Sequence, residues 1–284
     1  METYALEWVN LILRWLHVIA GIAWIGTSFH FMWLDHRLNF PSERETQGHE
    51  IGHVWFVHSG GFYEVTKYRL LPETILDHLH WFKWEAYSTW LSGMALLTVI
   101  YYVGAEYSLI DEQVADLTQW QAIGIGLGFL VGGWFLYDLL CKSHMANNKY
   151  LLALMLLIVV MVVAFVLTQI FSAQGAFMHV GAMIGTVMAG NVFTVIIPAQ
   201  KALVAAVTDR GIPDINLATK AKLRSTHNYY ATLPLLFIMI SNHYPIVYMY
   251  EYNWLVLTAI VAITSSTQHY FNIKHKGINK PCGE

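Results

Sequence analysis

Long apolar runs separated by short polar connections dominate the chain. Seven runs approach the length of about 20 residues that crosses a hydrocarbon core of about 30 Å as a helix. They lie at roughly 9–33, 84–104, 119–140, 150–171, 177–199, 226–243 and 252–271. The pattern predicts an all-α fold, a polytopic transmembrane helix bundle of about seven spans in a single integral-membrane domain over 1–284. One connection is long. The 35–83 segment contains Gly60-Gly61, Pro72 and several amphipathic stretches, so an ordered cytoplasmic element with short helices is expected there. The first run does not read as a cleaved signal peptide: it is too long, lacks a small-residue cleavage site, and has its positive flank after the apolar stretch.

Composition agrees. Of 284 residues, 56% are hydrophobic and 12% charged, against about 25% charged in a soluble domain. Basic residues alternate between connections. Arg37, Arg44, Lys67, Arg69 and Lys83 lie in 35–83; Lys142 and Lys149 in 141–149; Lys201, Arg210, Lys220, Lys222 and Arg224 in 200–225; Lys274, Lys276 and Lys280 in the tail. The connections 105–118, 172–176 and 244–251 have none. By the positive-inside rule the amino terminus faces outside and the tail the cytoplasm. The formal net charge of -3, with no basic face, excludes a nucleic-acid partner. Cys141 and Cys282 form neither a disulfide framework nor a CxxC pair, and the chain has no CxxCH.

Sixteen Tyr and eleven Trp suit membrane interfaces; fourteen His are harder to dismiss. The stretch Arg224–Pro245 carries His227 and His243 roughly 24 Å apart along a helix axis, an imidazole near each membrane face. Sorting by depth gives an outer set, His17, His179 and His243, and an inner set, His30, His80, His144, His227 and His269. Asp35, Glu85, Asp138, Asn228 and Gln268 accompany the inner set. For a single inner histidine the plain reading is an interfacial residue bonded to water or a headgroup, and His36, His49, His53, His78 and His275 are read so. His17 and His179 lie within apolar runs, where an ionisable group is costly and tends to face a bundle interior, cofactor or pathway. Trp24 follows His17 by two turns on the same face, with Gly21 and Gly26 nearby; Gly181, Gly185 and Gly190 follow His179. Small residues serve close helix packing; they also leave room for a macrocycle, and neutral imidazoles from two helices are typical haem ligands. His49-Glu50-Ile51-Gly52-His53 matches HExxH, which binds zinc only on a helix. Gly48 and Gly52 bracket it, a loop is expected, and a protease is set aside.

The stretches LRWLHVIAGIAWIG, HSGGFYEVTKYRL, LHWFKWEAYSTWLSG, GNVFTVIIPAQ and RSTHNYYATLPLLFIMISNHYP resemble the membrane domain of PuuD-type urate hydroxylases over nearly the whole chain. The first is distantly similar to the opening helix of the CopD and HemJ-like group, in which such a histidine is associated with haem b. The resemblance implies a bacterial inner-membrane enzyme with a periplasmic amino terminus, acting in purine degradation. It implies oxidation of urate to 5-hydroxyisourate, with electrons passing through haem b to a c-type cytochrome. Family members continue into an eighth span and a cytochrome c domain; this chain has neither, so a truncated or variant member, or a separate acceptor cytochrome, is expected. Set beside the depth sorting, Arg224 would meet the urate charge and Asn228, Gln200 and Gln268 its amide edges. His227, His269, His80 or Glu85 would act as general base. The haem would be held by His17 and His179 as iron ligands, with Trp24 beside it and His243 at the rim. Another haem-b membrane oxidoreductase, quinone-linked or HemJ-like, and a proton-coupled transporter stay open as alternatives.

Overall fold

In the computed structural model, residues 2–39, 50–68, 79–209 and 212–276 are described. The His49 end of the HExxH match, Pro72 and the tail after residue 276 lie outside them. Seven long helices form the body: α1 Glu2–Arg37, α2 Trp84–Val103, α3 Gln119–Lys142, α4 Lys149–Thr168, α5 Ala173–Thr208, α6 Ile215–Ser241 and α7 Asn253–Lys276. They match the seven runs in order. Five, α1 to α5, are long and apolar enough to cross a membrane. α6 and α7 fall outside that group because polar residues such as Arg224, Asn228, Gln268 and Asn272 sit within them, buried.

Local sequence fixes the helix starts. Thr118 and Gln121 form a capping box at α3, Asn148 accepts from the amides of Tyr150 and Leu151 at α4, and Ser172 accepts from Gly175 at α5. Each pairs amides that a helix start leaves orphaned. Two helices contain π turns, Thr98–Val103 in α2 and Val192–Ile196 in α5. Pro198 accounts for the second: its ring has no N–H and crowds the carbonyl four residues earlier, at Thr194, widening the turn.

Packing centres on α5, which meets α2, α3, α4 and α6. Lipid is as apolar as leucine, so close approach rather than water exclusion holds such helices together. A Cβ on Gly133 of α3 would lie 2.5 Å from Met183 of α5, and one on Gly190 of α5 would lie 2.6 Å from Trp134 of α3. The core comprises Leu109, Leu167, Phe171, Phe177, Val180 and Ile238. α1 stands apart, packed chiefly on α2, with residues such as Trp15 and Ile22 exposed.

The long connection departs from expectation. Its described part is a β-hairpin, not short helices: β1 Glu50–His58 and β2 Gly61–Tyr68 pair antiparallel. Ser59 and Gly60, at φ 50 and 78, make the two-residue turn with positive φ that suits strand twist. Val54 and Val65 pack on Leu34 and Leu38 at the end of α1, and Lys67 pairs with Asp35. Within the HExxH match, Glu50 to His53 lie on β1. A strand does not bring positions i and i+4 to one metal as a helix turn does, so the zincin geometry is not formed.

Candidate functional site

The seven helices alternate, so the ends of α1, α3, α5 and α7 and the starts of α2, α4 and α6 share one end, with the basic connections. There a cavity of about 530 Å³ opens between α1, the 79–82 segment, the π turn of α5 and the middle of α6. That is within the range of small-molecule sites, roughly 300–1,000 Å³. Trp24, Phe31, Trp81, Phe82 and Tyr229 give it aromatic walls; Thr27, Ser28, His80, Gln200, Ser225 and Asn228 bring polar groups. The π turn contributes Val192 and Ile196, so the irregularity imposed by Pro198 shapes the cavity wall.

Of the residues nominated from sequence, His80, Gln200, Asn228, Asp35 and Trp24 line this cavity. Glu85 stands behind His80, its Oε1 3.8 Å from His80 Nε2, and its Oε2 is buried without a hydrogen-bond partner.

Arg224 and His227 are not among the lining residues. Arg224 is buried and donates from Nη2 to Asp138 Oδ1 at 2.6 Å, its guanidinium 4.9 Å from the centre of the Tyr137 ring. Asp138 also accepts from Lys142 at 2.5 Å. The guanidinium is therefore paired within the protein, on a carboxylate that it shares with Lys142. His227 turns toward α3, with Nδ1 2.8 Å from the hydroxyl of Tyr137 and 3.8 Å from Cys141 Sγ. The two are joined through Asn191, fully buried, whose amide donates to Tyr137 at 2.9 Å and to Asn228 at 2.8 Å and accepts from Arg224 at 3.3 Å. Asn228 in turn donates to the Met188 carbonyl at 2.9 Å. Asn191 and Tyr137 escaped the sequence reading. An asparagine inside an apolar run was the available signal, since a polar group at that depth requires partners.

His269 pairs with Tyr230, Nδ1 to hydroxyl 2.8 Å, and Asn272 donates to the same hydroxyl at 2.7 Å. Gln268 is buried, next to the hydroxyl of Tyr229. These residues form the α6–α7 seam behind the cavity wall. His30 is exposed and stacks on Trp33, and His144 is exposed in a short turn after α3.

The outer histidines are arranged differently. His179 is fully buried among Phe171, Tyr101 and Tyr102. Its Nδ1 is 2.8 Å from the Gly175 carbonyl, which fixes the proton there, while Nε2 has no hydrogen-bond partner. Nε2 looks at Gly126 of α3, where a Cβ would stand 2.7 Å away. His17 repeats the pattern on α1: Nδ1 is 3.0 Å from the Thr89 carbonyl and 3.1 Å from Ser92 Oγ, and the ring faces Gly93 of α2. An imidazole with one nitrogen held by a carbonyl and the other left as a lone pair is the form that ligates a metal. The donor chemistry of His179 therefore fits a metal ligand; His17, oriented likewise at Nδ1, faces a different helix, α2 rather than α3. His243 is exposed at the end of α6, set off from both. No group of three or more His, Cys, Asp or Glu side chains forms a metal cluster among the described residues.

A family model described as Urate oxidase N-terminal matches residues 3–282 of the chain. No curated protein and no solved structure matches it.

Proposed function

The chain belongs to the urate oxidase N-terminal family, and from that premise we propose that it is a membrane oxidoreductase that oxidises urate to 5-hydroxyisourate in the cavity at its basic end. The family match over 3–282 carries the reading; the cavity supports it. Urate is flat and edged with alternating N–H and C=O groups. Aromatic side chains at Trp24, Phe31 and Tyr229 suit its faces, and the amides of Gln200 and Asn228 suit its edges. Asn228 is held by Asn191 and Met188, so its orientation is set before a ligand arrives, which lowers the ordering cost of binding.

The overall change is urate plus water to 5-hydroxyisourate, two protons and two electrons. His80 is the general base best supported by its position, because it lines the cavity with the Glu85 carboxylate behind it. It takes a proton from water as the water oxygen bonds to C5. Histidine suits that role near neutral pH. The electrons pass to a c-type cytochrome. Haem b, when bound, would supply one-electron steps between the two, and His179 and His17 are the residues that would hold it. His179 keeps a bare, buried nitrogen available, and His17 keeps its ring oriented by Thr89 and Ser92.

The test is anaerobic mixing of purified protein with urate while the visible spectrum is followed. A Soret band that shifts on urate addition, and not on addition of a quinol, supports the reading. A protein without such a band removes the haem part. Urate that survives incubation with protein and oxidised cytochrome removes the substrate.

A further inference from the structure

We infer that the β-hairpin is a membrane-interface element whose outer face, Trp55, Val57 and Phe62, rests on the lipid bilayer. The hairpin does not extend away from α1 into solvent; it folds back along it. Asn39 pairs with His53 just beyond the helix end, Val54 packs on Leu34 and Leu38, and the Phe56 ring lies 6.1 Å from that of His30 and 6.4 Å from Trp33. As β1 advances toward its turn, its contacts therefore move down α1 into the apolar run, and Lys67 pairing with Asp35 holds β2 to the same flank.

Alternation then decides which side chains face outward. Val54 and Val65 oppose each other on the α1 side, while the pairs Val57–Phe62 and Trp55–Glu64 fall on the other. Val57 is 64% exposed, Phe62 78% and Trp55 58%. Large apolar groups at that exposure next to a spanning helix continue its lipid-facing surface, where Trp33 is also exposed. The order of polarity along the hairpin fits an interface. Apolar Val57 and Phe62 lie nearest the turn, Trp55 shares the next level with Glu64, and His53 and Thr66 lie beyond. Tryptophan favours the headgroup level. Free strand edges keep the hairpin out of the hydrocarbon centre, where unpaired backbone groups are not tolerated, and confine it to the boundary zone.

A nitroxide attached at Phe62→Cys, in a chain with Cys141→Ser and Cys282→Ser, tests this in nanodiscs of phosphatidylcholine and phosphatidylglycerol. Collision with oxygen is compared with collision with a water-soluble nickel chelate. The Phe62 label is expected to match a Val18→Cys label on α1, oxygen-rich and nickel-poor. Nickel access equal to that of a Glu112→Cys label in the α2–α3 connection would overturn the proposal. Dipolar broadening between two labels in one disc would assign the face to a second copy and overturn it too. If the labelled chains do not insert, Trp55→Phe gives a second route. The fluorescence lost in that variant is expected to be the part that brominated lipid quenches in the unaltered protein; lost fluorescence that brominated lipid leaves untouched counts against the inference.

Discussion

Two of the buried polar neighbourhoods among the described residues are built on opposite rules. At the basic end, Arg224, Asp138, Asn191, Tyr137, His227 and Asn228 close on one another, each with at least one partner. At the far end, His179 and Tyr102 are buried with His179 Nε2 and the Tyr102 hydroxyl unpaired, and both atoms look at Gly126. A satisfied network orients and rigidifies; a buried nitrogen without a partner is costly and free to accept one. Arg224 and His227 sit inside the satisfied network, and His179 Nε2 lies outside any network.

The network at the basic end is most vulnerable at Asp138. Asp138→Ala strips the buried guanidinium of its carboxylate, and breaking a buried pair from one side costs about 3–5 kcal/mol. A large fall in the thermal midpoint in detergent is expected. Arg224→Met is milder, because Asp138 keeps Lys142. If Arg224 were instead the urate anchor, Arg224→Met would leave the midpoint alone and abolish urate binding.

Within the cavity, Gln200→Leu is expected to raise the urate KM about tenfold or more, tenfold being about 1.4 kcal/mol, with stability unchanged because Gln200 is exposed at the mouth. An unaltered KM would move the substrate elsewhere. Tyr137→Phe sharpens the support role. It leaves the Asn191 amide and His227 Nδ1 short of a partner, at about 1–3 kcal/mol, which chemical or thermal unfolding would read. At the far end, His179→Leu forfeits one hydrogen bond, about 1 kcal/mol, so the fold should survive while the Soret band disappears. Retention of the full band would release His179 from ligation.

Much of the frame was legible in the chain. Seven apolar runs became seven helices because a span must satisfy its own backbone, and that requirement writes itself into length and hydropathy. That His179 would be buried was legible for the same reason. The helix pairings were not. Nothing in one sequence says that Arg224 of α6 meets Asp138 of α3, or that Asn191 stands between them, since those contacts depend on how separate helices are placed. The hairpin is a different case, because its signal was present. Ser59-Gly60-Gly61 divides Val54-Trp55-Phe56-Val57 from Phe62-Tyr63-Glu64-Val65, two aromatic and β-branched runs around a turn that favours positive φ. Helices on either side of this segment mask that local strand pattern.

The most direct measurement follows urate and an oxidised c-type cytochrome together in membranes that hold this protein. Urate is expected to disappear with two cytochromes reduced for each urate consumed, and His80→Ala is expected to stop both while the visible spectrum of the protein persists. Urate that remains while the cytochrome stays oxidised, in membranes with the protein folded and inserted, would contradict it.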